Sequence, residues 1–202
     1  MWVGVGQTTN TIMTSTNGIN WTGLGATIFS TSGRSVSWNG NLWVAVGQGT
    51  NTIAYSLNGT TWIGVTSSPF STIGYGVAWN GSLWVATGQG GNSIATSFDG
   101  IVWTGRTGTT VFTLNGFTVA WTGSMWIAGG QGGNSLATST DGITWVGRGT
   151  SVLTQVAGIY GYKSTTDVTA LTTVSEYLAV GAGTNSFGIT TDGTSFSGLN
   201  RL

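Results

Sequence analysis

Hydrolytic chemistry on a glycosidic bond needs two carboxylates facing one another, and this sequence offers few. Its acidic residues are Asp99, Asp141, Asp167, Glu176 and Asp192; its basic residues are Arg34, Arg106, Arg148, Lys163 and Arg201. There is no His and no Cys, which removes imidazole acid–base catalysis, thiolate chemistry, disulfides and zinc-finger sites. Asp99, Asp141 and Asp192 each precede a Gly, the pairing of a tight turn rather than of a catalytic acid. That leaves Asp167 and Glu176, close together in one polar segment where acids are ordinarily just solvated. Arg106 and Arg148 hold equivalent places and are expected at the surface. No catalytic residue, cofactor or metal site is expected.

The side chains left for chemistry are amides, whose use is recognition. Gln7, Gln48, Gln89 and Gln131 each precede Asn10, Asn51, Asn92 and Asn134 by three residues; Asn185 continues the Asn series, whereas Ala182 breaks the Gln series. Two readings stand. Asn and Gly tolerate left-handed backbone, so the segment serves as a turn. Alternatively, rows of carboxamides line equivalent clefts and bind sugar hydroxyls. A second series varies: Phe29, Phe70, Phe112 and Leu153 recur, four residues later come Gly33, Gly74, Gly116 and Ala157, and one residue on, or two in the last case, stand Arg34, Tyr75, Phe117 and Ile159. A variable position in a regular array is where a specific ligand contact can sit.

Partners are bounded by charge. Five basic and five acidic residues cancel, and charged residues are 5% of the chain. Phosphate backbones and anionic membranes find no cationic patch, so neither nucleic acid nor membrane is an expected partner. No apolar run is long enough for a spanning helix, and no signal peptide precedes Trp2. The expected partners are glycans or another protein, and the location stays open.

The elements that carry these residues repeat. WVGVG at Trp2 returns as WVAVG at Trp43, WVATG at Trp84, WIAGG at Trp126 and YLAVG at Tyr177, at spacings of 41, 41, 42 and 51. Trp21, Trp62, Trp103, Trp145 and Phe196 keep the same intervals, and Trp38, Trp79, Trp121 and Tyr162 form a third series. All 11 Trp residues fall on these series. Within one unit, GVAW reads as strand A and Asn80-Gly81 as a primed hairpin turn. LWVATG is strand B, SIATS strand C and VWTG strand D. Four short antiparallel strands per 40-odd residues predict an all-β, five-bladed β-propeller in a single domain of residues 1–202. The repeats are approximately 1–34, 35–75, 76–117, 118–158 and 159–202. Strand B alternates large and small residues, as two buried faces require.

The segment between strands C and D reads STNGINW from Ser15, SLNGTTW from Ser56, SFDGIVW from Ser97 and STDGITW from Ser139, with a degenerate TTDGTSF around Asp192. This motif resembles the Asp-box, or BNR, repeat of sialidase-type β-propellers, although one residue between Asp and Gly is absent. The resemblance implies a structural corner on the outer edge of each blade, away from the ligand face. Ser15, Asn17, Trp21, Ser56, Asn58, Trp62, Ser97, Asp99, Trp103, Ser139, Asp141, Trp145 and Asp192 would build those corners. It also implies that an active sialidase would carry an arginine triad, a Tyr–Glu nucleophile pair and an Asp acid, none of which is recognisable here.

Two structural expectations follow. Trp21, Trp62, Trp103 and Trp145 should be largely buried. Strand A is legible in four units only, so residues 168–174 are expected either to form a strand covering the free edge of the first unit or to extend the hairpin between strands A and B as a mobile loop. For function, the sequence points to a non-catalytic binding or structural module: a lectin-like propeller or a virion or cell-surface component. A pure repeat scaffold, engineered or recently amplified, is the alternative, followed by a sialidase-like glycoside hydrolase.

Overall fold

The computed structural model describes residues 1–106, 111–163, 175–182, 187–190, 195 and 197–199. Among them every regular element is a strand, and every pairing between strands is antiparallel. The chain divides into two compact units, Met1–Thr107 and Gly108–Leu202.

The first unit holds three meanders. The opening one has three strands, β1 (Trp2–Val5), β2 (Ile12–Ser15) and β3 (Thr22–Gly23), in that order. The second runs β4 (Ser32–Trp38), β5 (Trp43–Gln48), β6 (Ile53–Ser56) and β7 (Ile63–Gly64). The third runs β8 (Phe70–Trp79), β9 (Trp84–Gly91), β10 (Ile94–Ser97) and β11 (Thr104–Arg106). The other compact unit repeats the pattern twice, as β12 (Phe112–Trp121), β13 (Trp126–Gly133), β14 (Leu136–Ser139) and β15 (Val146–Gly147), then β16 (Gln155–Lys163), β17 (Ser175–Ala182), β18 (Phe187–Thr190) and β19 (Ser197–Leu199). Strand A is thus present in four meanders and missing from the first among the described residues. Residues 168–174, where a covering strand was expected, lie outside them.

Within a meander the register is set by aromatic pairs. Trp38 faces Trp43, Trp79 faces Trp84 and Trp121 faces Trp126, with ring centroids 4.8, 5.0 and 5.1 Å apart. The joining turn differs from a primed Asn-Gly hairpin. Gly40 and Gly81 take φ of +103° and +104°, but neither Asn39 nor Asn80 is left-handed. Their Oδ1 atoms instead accept from the amides two and three residues on, at 2.7–2.9 Å. The Asn side chain therefore caps the turn and only the Gly supplies its unusual backbone.

Adjacent meanders interlock because small residues meet large ones. In the first unit β4 packs against both β1 and β8. A Cβ on Gly33 would lie 2.8 Å from Val5 Cβ, and one on Gly74 2.7 Å from Val46 Cβ. Val44, Ala45, Val46, Trp84, Val85 and Ala86 are fully buried, so strand B is covered on both faces. In the other unit Ile127, Leu136, Leu153, Val156 and Ala179 form the core.

Candidate functional site

The turn between strands B and C is closed by a backbone bond across it: Gly47 N donates to Thr52 O at 3.0 Å, Gly88 N to Ser93 O at 3.1 Å and Gly130 N to Ser135 O at 2.9 Å. After the Gln comes a residue in left-handed backbone, namely Gly49, Gly90 or Gly132 with φ of +117°, +89° and +87°. The Asn amides are engaged. Asn51, Asn92 and Asn134 donate through Nδ2 to Ile28 O, Pro69 O and Val111 O at 2.8, 3.1 and 2.9 Å. Asn10 and Asn134 accept through Oδ1 from Gly25 N and Gly149 N, both at 2.8 Å. Each Asn lies so close over the strand D glycine (Gly23, Gly64, Gly105 or Gly147) that a Cβ there would overlap it. The Asn series thus joins the B–C turn to strand D and, in three meanders, to the segment leading into strand A. Asn185 and Asp192 lie outside the described residues.

The Gln side chains behave differently. Gln48, Gln89 and Gln131 are half-buried and Gln7 is exposed, and none makes a side-chain hydrogen bond among the described residues. Their backbone links neighbouring meanders: Gln7 bridges to Ser32, Gln48 to Ile73 and Gln131 to Gln155. Gln7, Gln48 and Gln131 therefore stand where two meanders meet, and the Gln carboxamides have no hydrogen-bond partner among the described residues.

Arg34, Tyr75 and Phe117 are the extra residues of β-bulges in strand A. The register slips between Gly33 and Ser35, between Gly74 and Gly76, and between Gly116 and Thr118. A fourth slip, between Val156 and Gly158, makes Ala157 their counterpart in place of Ile159. A bulge re-aims the extra side chain out of the ladder's alternation, which explains why this position accepts Arg, Tyr, Phe and Ala alike. Arg34 is exposed, while Tyr75 and Phe117 are half-buried.

At the opposite end of each meander, the corner between strands C and D is built alike four times. Ser15, Ser56, Ser97 and Ser139 accept through Oγ from Gly18, Gly59, Gly100 and Gly142 N, each at 2.8 Å. The same hydroxyls donate to Oδ1 of Asn17, Asn58, Asp99 and Asp141. Those Oδ1 atoms accept two further backbone amides, as from Ile101 and Val102 on Asp99, both at 2.8 Å. Trp21, Trp62, Trp103 and Trp145 donate through Nε1 to the corner glycine carbonyls at 2.9–3.2 Å. Partial burial draws the Asp99 carboxyl upward, but the bonds from Val102, Ile101 and Ser97 outweigh it, and its pKa falls below 3.8. The Thr144 amide, with help from Ile143 and Ser139, lowers Asp141 to about 2 against a smaller opposing effect of burial. Both carboxyls are therefore held ionised at neutral pH, with Oδ1 of each engaged in the turn.

Two expectations need correction. Trp62 and Trp103 are buried, but Trp145 is only half-buried and Trp21 is 43% exposed. Gly59 and Gly100 pack against residues of the preceding meander, Val3 and Val44 respectively, whereas Gly18 meets only Trp2 of its own. Among the described residues the first corner thus has no counterpart of the neighbour that shields the second and third. Arg106 and Arg148 are half-buried rather than free at the surface, donating through Nε to Thr96 and Thr138 Oγ1 at 2.7 and 2.9 Å. In the second meander Tyr55 and Val65 take these Thr and Arg places. A cleft of about 340 Å³ opens beside them, lined also by Ile63, Ile101, Val102 and Trp103. The substitution pattern alone could have flagged it.

Among the described residues, no group of three or more acidic residues could hold a metal, and no helix is long and apolar enough to cross a membrane. No protein-family model matches the sequence, and no curated protein matches it. Solved structures do. The GH74 enzyme of Niastella koreensis superposes with a TM-score of 0.63 at 18% identity, over 94% of this chain and 28% of that one. The fold is a β-propeller. The match spans little more than a quarter of the enzyme's length, so it speaks to architecture. The computationally designed Ika8 protein matches with a TM-score of 0.46 at 9% identity, over 82% of this chain and 60% of that one.

Proposed function

We propose that this chain is a non-catalytic recognition module, with its meanders as five propeller blades, its corners of Asp-box type, and glycans as its ligand class. The observation that carries the reading is the row of Gln48, Gln89 and Gln131, half-buried carboxamides at equivalent strand ends with no side-chain partner among the described residues. A carboxamide offers two donors and an acceptor, the complement of adjacent sugar hydroxyls. A site of nearly neutral composition suits an uncharged saccharide. Arg34, Tyr75 and Phe117, displaced by bulges at the start of strand A, would supply the differences between otherwise similar units. The corner residues and the Asn series are occupied with backbone bonds and act as scaffold.

A second reading, polysaccharide hydrolysis, draws on the enzyme among the fold neighbours. It requires two opposed carboxylates; with Asp99 and Asp141 held in corners, Asp167 and Glu176 remain as candidates. Asp167 and the Glu176 side chain lie outside what is described. Incubation on a glycan array, with released reducing ends assayed in parallel, separates the two. Retained binding without release supports recognition, release supports hydrolysis, and silence in both leaves the scaffold reading standing.

A further inference from the structure

Five Asn-Gly pairs occur in the chain, and the fold treats them differently. Asn17-Gly18 and Asn58-Gly59 sit in the first two corners, Asn115-Gly116 lies within β12, and Asn39-Gly40 and Asn80-Gly81 make the turns between strands A and B. Such a pair can react with itself. The Gly backbone nitrogen attacks the side-chain carbonyl carbon of Asn, and the Gly amide proton passes through water to the side-chain nitrogen, which leaves as ammonia. A succinimide ring remains. Water opens it at one carbonyl or the other and leaves aspartate or isoaspartate, with no oxidant or cofactor involved. The step needs an unengaged Gly N–H, a polarised Asn carbonyl and room for the ring.

In the corners the nucleophile is taken. Gly18 N and Gly59 N donate to Ser15 and Ser56 Oγ, both at 2.8 Å. In β12 the ladder holds Asn115 and Gly116 opposite Gln131 and Gly130. The A–B turns are open. Gly40 and Gly81 are exposed, nothing lies within 4 Å of where a Cβ on either would stand, and neither amide is bonded among the described residues. Their Asn carbonyls are polarised: Asn39 Oδ1 accepts from Asn41 and Leu42 N at 2.8 and 2.7 Å, and Asn80 Oδ1 from Ser82 and Leu83 N at 2.9 and 2.7 Å. Backbone donors aimed at that oxygen favour the negative charge that develops on it during attack.

We propose that Asn39 and Asn80 are sites of self-modification, converted to aspartate or isoaspartate through Gly40 and Gly81, while Asn17, Asn58 and Asn115 persist. Each conversion adds one negative charge to a chain whose formal net charge is zero. The aspartate product keeps the turn, because its carboxylate accepts the same amides, as Asp99 does where the second corner has Asn58. The isoaspartate product inserts a backbone methylene between Trp38 and Trp43, or between Trp79 and Trp84, whose pairing sets the register. The fourth meander carries an inert version of the turn. There Thr122 Oγ1 accepts from Met125 N at 3.0 Å and Gly123 takes φ of +97°, and Thr has no carboxamide to lose.

The test holds the full-length protein in mildly alkaline buffer, beside a denatured sample, and maps both by proteolysis and mass spectrometry, which reads the mass gained when NH2 gives way to OH. In the native protein Asn39 and Asn80 should each convert at least about tenfold faster than Asn17, Asn58 and Asn115, and unfolding should narrow that gap by speeding the corner residues. An Asn39→Thr, Asn80→Thr double variant should keep its melting temperature and cease to form acidic species on isoelectric focusing. Corner residues converting as fast as turn residues in the native protein would overturn the proposal. So would native Asn39 or Asn80 remaining intact while the denatured chain converts, or acidic species forming at the parent's rate in the double variant.

Discussion

The first and third meanders share a sequence plan and, among the described residues, differ by one strand. In the third, β8 covers β9, and Trp84 and Trp103 are 0% and 7% exposed; in the first, their counterparts Trp2 and Trp21 are 61% and 43% exposed. The same residue type at the same repeat position is core in one place and surface in the other. Burial here is conferred by the neighbouring strand and the preceding meander, not by the tryptophan itself. The comparison also accounts for Thr8, the only non-glycine residue with positive φ among those described. With no strand A against it among the described residues, that turn takes a side chain at φ +86° and bears the backbone strain.

Mutation should widen this contrast. Trp84→Ala is expected to cost about 3–5 kcal/mol, the range for a large buried aromatic, whereas Trp2→Ala should cost less than about 1 kcal/mol. Chemical denaturation of both variants checks this, and similar losses would mean that β1 is covered in solution. Next in size, Gly88→Ala forces a methyl into Phe70 and the β8 backbone and should cost about 1–3 kcal/mol. Gly6→Ala should stay within about 0.5 kcal/mol. Thr8→Gly reverses the sign. Releasing a β-branched residue from left-handed backbone should stabilise the protein by about 1 kcal/mol, visible as a raised melting temperature. The smallest effect is electrostatic. Asp141 is depressed from 3.8 to about 2, so the stability it contributes is complete above its ordinary pKa and is lost as pH falls toward 2. The corners of Asn17 and Asn58 have no such titration. An Asp99→Asn, Asp141→Asn double variant should therefore lose less stability than the parent between pH 4 and 2.

Much of this architecture was legible in the residues. The Trp series fixes the repeat, and the S-x-[D/N]-G-x-x-W spacing gives a corner whose hydroxyl, Asn or Asp Oδ1, and indole bonds recur four times over. Other features were hidden for physical reasons. Arg34, Tyr75 and Phe117 look like ordinary strand residues, because a bulge leaves no composition signal when the extra position tolerates any side chain. Asn51 and Asn92 reach carbonyls 23 residues back, a contact no local pattern reveals. The exposure of Trp21 reflects a corner with no preceding meander against it among the described residues, whereas repetition argues for its burial. The insertion around residues 164–174 carries no repeat marker by which to place it.

The account rests on a division of labour between the Gln end of the meanders and the corner end. A paired titration tests it most directly: a glycan retained on the array, measured calorimetrically against Gln89→Ala and against Asp99→Ala. Gln89→Ala should weaken binding about tenfold with an unchanged melting temperature, and Asp99→Ala should lower the melting temperature while the folded protein binds normally. The reverse pattern, binding lost with Asp99 and kept without Gln89, would contradict the assignment of the binding face.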